Sequence, residues 1–513
     1  MQLNTTGPDS RSIGTIENEI HFIREQLAKS AQDWVAVVAA NPDSFRNIET
    51  EAAELFLRLS GPLLAAVLLA ATAKPEFLEK CNAAVRHHVT PLAQGRKQTV
   101  MIRFLCGLVF HIVTAYFPPA RKKKNEVVAE KRSGLSPEQA LLGFGVKCSP
   151  GLEEKVTRAV ALYPSIKLAQ QELKRQGITM NVKEIRRIAM QCGEGILSLR
   201  FHQLINEFLE GCLACGTELH GKAVVIELDG GRVRTRKNKA GKRTKGRRPK
   251  FDAPWREPKV MIIYTVDENG KKEKHSRVWI DGTFQDANHT CDMVIAHLRR
   301  LGAAGASSVT FISDGAEWIW NRLDVIVREA EIPREIVEYV LDFYHASGHL
   351  SKALKELPWS DAEFYEEYKR LRHDLRSGLW TIVVARLKEL GVGIGEGLAF
   401  GTELRYLEKH GKAGHLNYVQ FTNRGVPVGS GAIESTIRRV VNLRMKSNGT
   451  FWTEENAEKM LQLRCQIMST EWDVKLDELY AHRLRGRGSV WRWATSEERY
   501  KGEGTNSEPS FPS

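Results

Sequence analysis

Three acidic residues occupy positions from which their carboxylates could hold a cation. Asp229 ends the apolar run KAVVIEL, Asp314 ends SSVTFIS, and Glu434 lies in GSGAIESTIRRVVNLRM. Taken singly, each has a simpler interpretation, because Asp-Gly steps form turns and Glu434 could pair with Arg438 on an exposed helix face. Carboxylates in contact repel each other unless a cation lies between them, and Mg²⁺ prefers carboxylate oxygens. If the fold brings the three together, we expect a magnesium site.

The segment from residue 221 onward contains the elements that would position these acids. Five apolar, β-branched runs predict strands, and ANHTCDMVIAHLRRLGA and AEWIWNRLDVIVREA predict helices, in the order β-β-β-α-β-α-β. This order predicts a mixed α/β sheet. With the first strand beside the fourth, Asp229 and Asp314 lie side by side. Glu434 would come from a helix over the sheet edge, whose apolar stripe is Ile433, Ile437, Val440 and Val441.

The positive charge of the chain is concentrated. The formal net charge is +13, and residues 232–259 hold thirteen Lys/Arg against two acids. Two smaller basic clusters lie at 121–132 and 482–493, the second with Trp491 and Trp493. Such clusters match a phosphate backbone, although solvated loops are the alternative, and the tryptophans could stack on bases or pack a terminus. The candidate nucleic-acid ligands in the largest cluster are Arg234, Arg236, Lys237, Lys242, Arg243, Arg247 and Arg248.

The N-terminal half is predicted to be mostly helical. Helical spacing runs through 15–95, and QTVMIRFLCGLVFHIVTAYF at 98–117 predicts a hairpin. Between 150 and 220, Ser165 and Asn181 are expected to cap two helices around a turn at Gly177. The pattern predicts a helix-turn-helix or, equally, a plain helical hairpin. Its candidate DNA ligands are Lys183, Arg186 and Arg187.

We expect an intracellular protein without a membrane segment. The eight cysteines are scattered, no signal peptide opens the sequence, and the apolar stretch 63–73 is about half the length that spans a bilayer. This stretch predicts a buried helix of a soluble protein. Cys212 and Cys215 form a C-x-x-C with His220 nearby, but no second pair follows, so ordinary cysteines are favoured over a zinc site.

Four motifs in order, VIELDG, FISDGAEWIW, LDFYHASGHL and VGSGAIESTIRRVVNLRMKSNGTFW, resemble the DDE transposases of bacterial insertion sequences, most closely the ISKra-type branch. That family belongs to the RNase H-like, retroviral-integrase superfamily, and the resemblance covers roughly 220–470. It implies that Asp229, Asp314 and Glu434 are the catalytic metal ligands. Asp342 and His345 match an accessory D-x-x-H element, although an ordinary strand-end Asp and helix-opening His are the alternative. The relatives continue the hairpin segment into a zinc ribbon, whereas FPPARKKK follows Tyr116 here.

The resemblance implies a fold class of α/β, with an RNase H-like mixed five-stranded sheet, a helical insertion and a mostly helical N-terminal half. The predicted domains are an N-terminal helical domain (1–95), a hairpin and basic linker like a degenerate zinc ribbon (96–149), a helix-turn-helix-like region (150–220), the first part of the catalytic domain (221–348), the helical insertion (349–428), the last catalytic helix (429–470) and a basic tail (471–513).

The implied function is cleavage and strand transfer at the ends of a mobile element, with two Mg²⁺ ions or Mn²⁺ as a substitute. The expected partners are double-stranded DNA and at least one further copy of the chain, in the bacterial cytoplasm at the nucleoid. Further candidate DNA ligands are Arg438, Arg439, Arg444 and Lys446. The alternative is a non-catalytic or domesticated DNA-binding protein of the same fold. A zinc or serine hydrolase is disfavoured, because H-E-x-x-H and G-x-S-x-G are absent from the sequence.

Overall fold

The chain folds into two compact units. Unit 1 comprises 1–199 with 471–491, and unit 2 comprises 200–470 with 492–513. Within them, this computed structural model describes residues 3–6, 13–121, 134–239, 250–392, 399–447, 449–469, 472–484 and 492–500. Four predicted DNA ligands lie outside the described residues: Lys242, Arg243, Arg247 and Arg248.

Unit 1 combines helices with a small sheet. Its elements are β1 (Leu3–Thr6), α1 (Ile16–Ala40), α2 (Phe45–Thr72), α3 (Pro75–Arg86), β2 (Arg96–Arg103), β3 (Val109–Tyr116), α4 (Pro137–Leu141), α5 (Pro150–Leu162), α6 (Ile166–Arg175) and α7 (Val182–Arg200). β2 and β3 are antiparallel, and β1 pairs with the other edge of β3. The chain turns at Gly107, whose φ of 82° favours glycine. The predicted hairpin is therefore confirmed.

Helix α2 carries the apolar stretch that we expected to be buried. Ala65 and Ala66 are buried, but Leu64 and Val67 are 49% and 45% exposed, so the expectation is wrong for one face of the helix. The whole helical segment Pro42–Thr72 has 31 residues and a mean hydropathy of 1.8 in its most apolar window, of which 39% is buried. By length and composition alone it could cross a membrane, and core helices of soluble proteins pass the same test.

The caps expected in the 150–200 region are present. The Ser165 side chain accepts a hydrogen bond from the Leu168 N–H at 3.1 Å, and Asn181 accepts one from the Glu184 N–H at 2.9 Å. Between the two helices, Gly177 takes a φ of 76°. The predicted N-terminal caps of α6 and α7 and the turn between them are therefore confirmed, although α7 continues to Arg200 and is not the short helix that we expected. A DNA-binding role for this pair of helices stays a prediction.

Unit 2 is built on a five-stranded mixed sheet in the order β10-β9-β4-β11-β12. The sheet strands are β4 (Ala223–Gly230), β9 (Lys259–Val266), β10 (Trp279–Thr283), β11 (Ser308–Ser313) and β12 (Val337–Leu341). Four short strands lie outside the sheet: β5 (Val233–Arg234), β6 (Lys237–Asn238), β7 (Phe251–Asp252) and β8 (Trp255–Arg256). β9 is antiparallel to both β4 and β10, and β11 is parallel to β4 and β12. The predicted mixed sheet, with its first strand beside its fourth, is confirmed.

Helices cover the sheet and fill the segment between β12 and the Glu434 region. They are α8 (Asn206–Leu209), α9 (Ala287–Leu301), α10 (Glu317–Trp320), α11 (Leu323–Glu329), α12 (Phe343–Lys355), α13 (Asp361–Arg376), α14 (Trp380–Leu390), α15 (Ala399–Lys412), α16 (Tyr418–Asn423), α17 (Gly431–Ile437), α18 (Leu443–Met445) and α19 (Glu454–Met468); α20 (Trp472–Leu484) returns to unit 1. The segment that we predicted as one helix, AEWIWNRLDVIVREA, forms two short helices, α10 and α11. The insertion is helical, as predicted.

The two faces of β4 have different roles. Successive strand residues point to opposite faces, and Val224, Ile226 and Leu228 join a buried core with side chains of α9 and α11. Glu227 and Asp229 therefore point to the other face, toward α17. One face of the strand stabilises the unit, and the opposite face is left for polar groups.

Candidate active site

Asp229 and Asp314 lie at the same level of neighbouring strands. The parallel ladder pairs Ile312 with Glu227, and the same register, continued by two residues, sets Asp314 beside Asp229. Neighbouring strands are about 4.8 Å apart, so the two carboxylates repel each other. Burial first, and then the Asp314 carboxylate, raise the pKa of Asp229 to about 7. The predicted strand order thus brings these two acids together.

Asp342 adds a third aspartate to the same row. The ladder between β11 and β12 pairs Ser313 with Leu341, so its continuation sets Asp342 beside Asp314. Asp342 is fully buried, and its backbone N–H donates to the Ser313 carbonyl at 2.9 Å. The sequence predicted Asp342 only as an accessory residue, but three adjacent parallel strands end in three aspartates at one level.

Glu434 is supplied by α17, and two buried acids hold the start of that helix. The Ile433 N–H donates to Glu227 at 2.7 Å, and the Ser430 N–H donates to Asp342. Glu434 itself is exposed and accepts a weak hydrogen bond from the Ser430 hydroxyl at 3.5 Å. Among the described residues, no ion pair joins it to Arg438, so the exposed helical pair that we considered is not formed.

Asp342, His345 and Glu434 form a possible ligand group. One ligand atom from each lies within 4.8 Å of the others. His345 sits one turn into α12, where its N–H donates to Asp342 at 2.7 Å and its ring Nδ1 lies 3.4 Å from the same carboxylate. We call Asp229, Asp314, Asp342, His345 and Glu434 the carboxylate site.

The electrostatics of the carboxylate site are unbalanced. Burial acts to raise the pKa of Asp342, but hydrogen bonds from His345 and Ser430 outweigh it and lower this pKa below its ordinary value. The hydrogen bond to Asp342 raises the pKa of His345, and the nearby acids Asp314 and Glu434 add to this effect. A single imidazole therefore faces a row of carboxylates, which is an arrangement that favours bound cations.

The donor set fits a divalent cation. Four carboxylates and one imidazole offer the oxygen and nitrogen ligands that Mg²⁺ and Mn²⁺ accept. Burial first, and then repulsion from Asp314, raise the pKa of Asp229, and a cation between the two acids would remove the repulsion. The residues present therefore suit a metal site, and the shifted pKa values of Asp229, Asp342 and His345 are typical of functional positions.

Helix α15 of the insertion supports the Asp314 turn. The Tyr406 hydroxyl donates to the Asp314 carbonyl at 2.9 Å, and its ring stacks on His349 with centroids 3.7 Å apart. Gly315 follows with a φ of 88°, and a Cβ there would meet the Tyr406 hydroxyl at 1.9 Å. The insertion therefore contributes directly to the position of Asp314, which the sequence did not indicate.

Glu227 is the second residue that sequence reasoning missed. It is fully buried, accepts a hydrogen bond from the Tyr264 hydroxyl at 2.6 Å, and burial raises its pKa to about 7. A signal was present, because an acid in the apolar run VVIEL, two residues before Asp229, shares a strand face with it. Its hydrogen bond to the backbone of Ile433 makes Glu227 a positioning residue for the helix that carries Glu434.

Three of the predicted DNA ligands after Asp229, namely Arg234, Arg236 and Lys237, lie on a ribbon of two short ladders, which we call the basic ribbon (231–239 and 250–258). β5 pairs with β8, and β6 pairs with β7. The guanidinium of Arg234 lies over the ring of Trp255, which is 38% exposed, and that of Arg236 lies over Phe251. Lys237 is exposed. Two of the three cations therefore lie over aromatic rings of a ribbon that begins two residues after Asp229.

The other basic candidates divide into exposed and buried residues. Lys183, Arg186, Arg438, Arg439 and Lys446 are exposed. Two further candidates differ: Arg187 donates to the Val146 carbonyl at 3.1 Å, and Arg444 is only 3% exposed with its guanidinium over Trp452. The structure therefore contradicts our placement of Arg444 on a DNA-facing surface, because packing in the unit occupies its side chain.

The structure also gives the positions of the tryptophan and the cysteines that the sequence singled out. Trp493 is 8% exposed with Arg200 over its ring, so it packs its terminus instead of offering a stacking surface; Trp491 lies outside the described residues. Cys212 and Cys215 are exposed free thiols, and neither belongs to a three-ligand group in the described part of the chain.

Comparisons with known proteins add little to this geometry. No protein-family model matches the chain, and no curated protein sequence matches it significantly. Among solved structures, a Drosophila P element transposase strand transfer complex is similar with a TM-score of 0.33 and 12% sequence identity, over 63% of this chain and 93% of that chain. At that TM-score, the similarity assigns neither a fold family nor a function to this chain.

Proposed function

We propose that the chain is a metal-dependent enzyme that cleaves and transfers DNA strands, a DDE-type transposase with an RNase H-like catalytic domain. The observation that carries the proposal is the convergence of Asp229, Asp314, Asp342 and Glu434 at one edge of a mixed sheet. The strand order supports it, because β9 runs opposite to the other four strands and β4 is central, as this fold requires. The ISKra-type assignment rests on the four sequence motifs.

In this proposal Asp229, Asp314 and Glu434 hold two Mg²⁺ ions, with Asp342 and His345 completing the donor set. When bound, such ions supply Lewis-acid polarisation of the phosphodiester and a lowered pKa for the attacking hydroxyl. The protein's own contribution is to fix these ligands on rigid elements. Three come from adjacent strand ends, and Glu227 and Asp342 hold the helix that carries the fourth. The imidazole in the set favours Mn²⁺ as an effective substitute.

The cationic surfaces account for the substrate. Arg234, Arg236 and Lys237 of the basic ribbon begin within a few residues of Asp229, so they would hold the DNA backbone next to the scissile phosphate. Exposed Arg438 and Arg439 follow Glu434 on the other side of the site. In unit 1, Lys183 and Arg186 would bind the ends of a mobile element. Cleavage of paired ends requires at least two copies of the chain on DNA.

The test is incubation of the full-length protein with the DNA that flanks its gene, in Mg²⁺ or Mn²⁺, followed by mapping of nicks. We expect cleavage at discrete ends, and its loss in Asp229→Asn, Asp314→Asn and Glu434→Gln. The control variant Asp361→Asn, which removes one negative charge at an exposed position, should cleave DNA normally. A variant of the triad that still cleaves removes that residue from the mechanism. Binding without cleavage in either metal would instead favour the non-catalytic DNA-binding protein.

A further inference from the structure

Helix α13 carries a cation-lined groove that is separate from the carboxylate site and the basic ribbon. The groove has a volume of about 510 Å³. Its six lining residues occupy one face of the helix over about three turns, and five of them carry nitrogen cations or an imidazole: Glu366, Lys369, Arg370, Arg372, His373 and Arg376. None was predicted as a DNA ligand from the sequence.

The cations of this groove are largely uncompensated. Arg370 forms an ion pair with Glu367, its neighbour three residues earlier, with nitrogen to oxygen distances of 2.5 and 3.1 Å. In contrast, Lys369, Arg372 and Arg376 form no ion pair with any carboxylate in the described parts of the chain. An ordinary solvated helix face alternates charges and pairs them, whereas this face keeps an excess of positive charge.

Two of these arginines are held beside the carboxylate site. The guanidinium carbons of Arg372 and Arg376 each lie 4.9 Å from the ring centroid of Phe343. Phe343 is 4% exposed and directly follows Asp342 at the start of α12. Packing on a buried ring fixes both cations at low entropic cost. The groove therefore begins next to the segment that contributes Asp342 and His345.

We propose that the α13 groove binds the sugar-phosphate backbone of the DNA strand that passes through the carboxylate site. This inference rests on the proposed function and adds a second DNA contact, made by the insertion. From Glu366 to Arg376 the helix rises about 15 Å, which is longer than the spacing of successive phosphates along one DNA strand, so the groove is long enough to contact more than one phosphate. Because its ligands are phosphates, the contact is independent of base sequence.

The experiment measures binding of a fluorescein-labelled 30-base-pair duplex of arbitrary sequence to the full chain in EDTA, over a series of NaCl concentrations. In Arg372→Ala/Arg376→Ala we expect at least tenfold weaker binding at 0.1 M NaCl and a salt slope smaller by about 2, because each phosphate contact contributes about 0.9 to it. The matched control is Lys388→Ala/Lys412→Ala, since both lysines already pair with Glu408. It should keep the wild-type salt slope.

A second variant separates charge from packing. Arg372 and Arg376 support Phe343, whereas Lys369 is exposed and has no contact with that ring, so Lys369→Glu reverses a groove charge with the fold unchanged. It should also weaken binding. The proposal is overturned if both groove variants keep the salt slope of the control, or if poly-glutamate competes for the groove as well as DNA does. Because no metal is present, these results do not depend on cleavage, and nick mapping tests the proposed function separately.

Discussion

Unit 2 contains two clusters of acids on the same sheet, and their negative charges are balanced differently. At the β4 side, Asp229, Asp314 and Asp342 share one imidazole, and burial and repulsion raise the pKa of Asp229 to about 7. At the β10 side, Asp281 and Glu458 surround the buried guanidinium of Arg200. The Asp281 and Glu458 cluster thus contains its own cation, Arg200, whereas the carboxylate site has more acids than cationic side chains. The difference favours the carboxylate site as the cluster that binds a cation from outside, as we propose.

The Arg200 cluster is closed by hydrogen bonds. Arg200 donates to Asp281 at 2.8 Å and to Gln462 at 2.8 Å, and the Thr283 hydroxyl and the Phe284 N–H each donate to Glu458 at 2.7 Å. Burial would raise the pKa of Asp281, but Arg200 and His297 outweigh it and hold this pKa at about 2. Burial keeps the pKa of Glu458 above its ordinary value.

This contrast separates a structural role from a functional one. The Arg200 cluster joins β10 to α19 from inside the unit, and all its acids have donors within the protein. The carboxylate site lies at one edge of the sheet. Asp342 is fully buried there and Glu434 is exposed, whereas Asp229 and Asp314 are half-buried and repel each other. Unbalanced charge costs stability and persists where function requires it. Mutations in the two clusters should therefore affect different properties.

The largest expected effect is on catalysis at the carboxylate site. Asp229→Asn and Asp314→Asn should reduce metal-dependent DNA cleavage on the order of 10³-fold, since a lost metal ligand removes several kcal/mol of transition-state stabilisation. Neither should lower the melting temperature measured in EDTA, because each removes a repelling charge. Nicking rates and thermal unfolding of the same samples check this. A variant with a lowered melting temperature and a normal nicking rate would contradict the distinction between the two clusters.

The next effect concerns stability at the Arg200 cluster. Arg200→Met leaves Asp281 and Glu458 buried without their cation and should lower the free energy of unfolding of unit 2 by about 3–5 kcal/mol. Arg328→Met, at a surface pair with Glu329, is the control and should change it by less than about 0.5 kcal/mol. Both changes in unfolding free energy are measured by urea titration, with hydrogen exchange of peptides from unit 2 as the readout of unfolding. Equal effects of the two changes would show that the buried cluster is not structural.

A smaller effect is expected from divalent ions, which should stabilise unit 2 only through the carboxylate site. At a concentration 100 times its dissociation constant, Mn²⁺ should stabilise unit 2 by about 2.7 kcal/mol through binding to the folded state. The stabilisation should be absent in Asp314→Asn and retained in Asp281→Asn, although the latter starts from a lower melting temperature. Thermal scans with and without Mn²⁺ provide the measurement. Equal stabilisation of both variants would place the ion elsewhere.

The smallest expected effect is a pH dependence of the Arg200 cluster. Because the folded-state pKa of Asp281 lies at about 2, below the ordinary value of 3.8, its contribution is fully present above pH 3.8 and is lost as the pH falls through about 2. The shift corresponds to about 2 kcal/mol. The difference in unfolding free energy between wild type and Asp281→Asn should be constant from pH 8 to pH 5 and shrink below pH 3.8. A difference that grows on acidification would contradict this assignment.

The sequence predicted the parts of this picture that depend on local pattern. Apolar runs that end in Asp229 and Asp314 predicted two strands, and the sheet has the neighbour relation that the prediction assumed, with the first strand beside the fourth. The level of Asp342 depends on the register between β11 and β12, which no local pattern contains. The break between α10 and α11 was not predicted either, because the apolar pattern of this segment is typical of one continuous helix.

Contacts between distant segments of the chain could not be predicted from the sequence either. The hydrogen bond from Ile433 to Glu227 joins residues 206 positions apart, and that from Tyr406 to Asp314 spans 92. The α13 groove depends on how the insertion folds back onto Phe343. Burial of Arg444 had the same origin, because its sequence neighbourhood is indistinguishable from that of the exposed arginines 438 and 439.

The most direct test of the central claim is anomalous diffraction from crystals of the full chain soaked in Mn²⁺. The account predicts anomalous density among Asp229, Asp314, Asp342, His345 and Glu434, and none beside Arg200, Asp281 and Glu458. Well-ordered crystals with these five side chains visible and no Mn²⁺ among them at saturating concentration would contradict it.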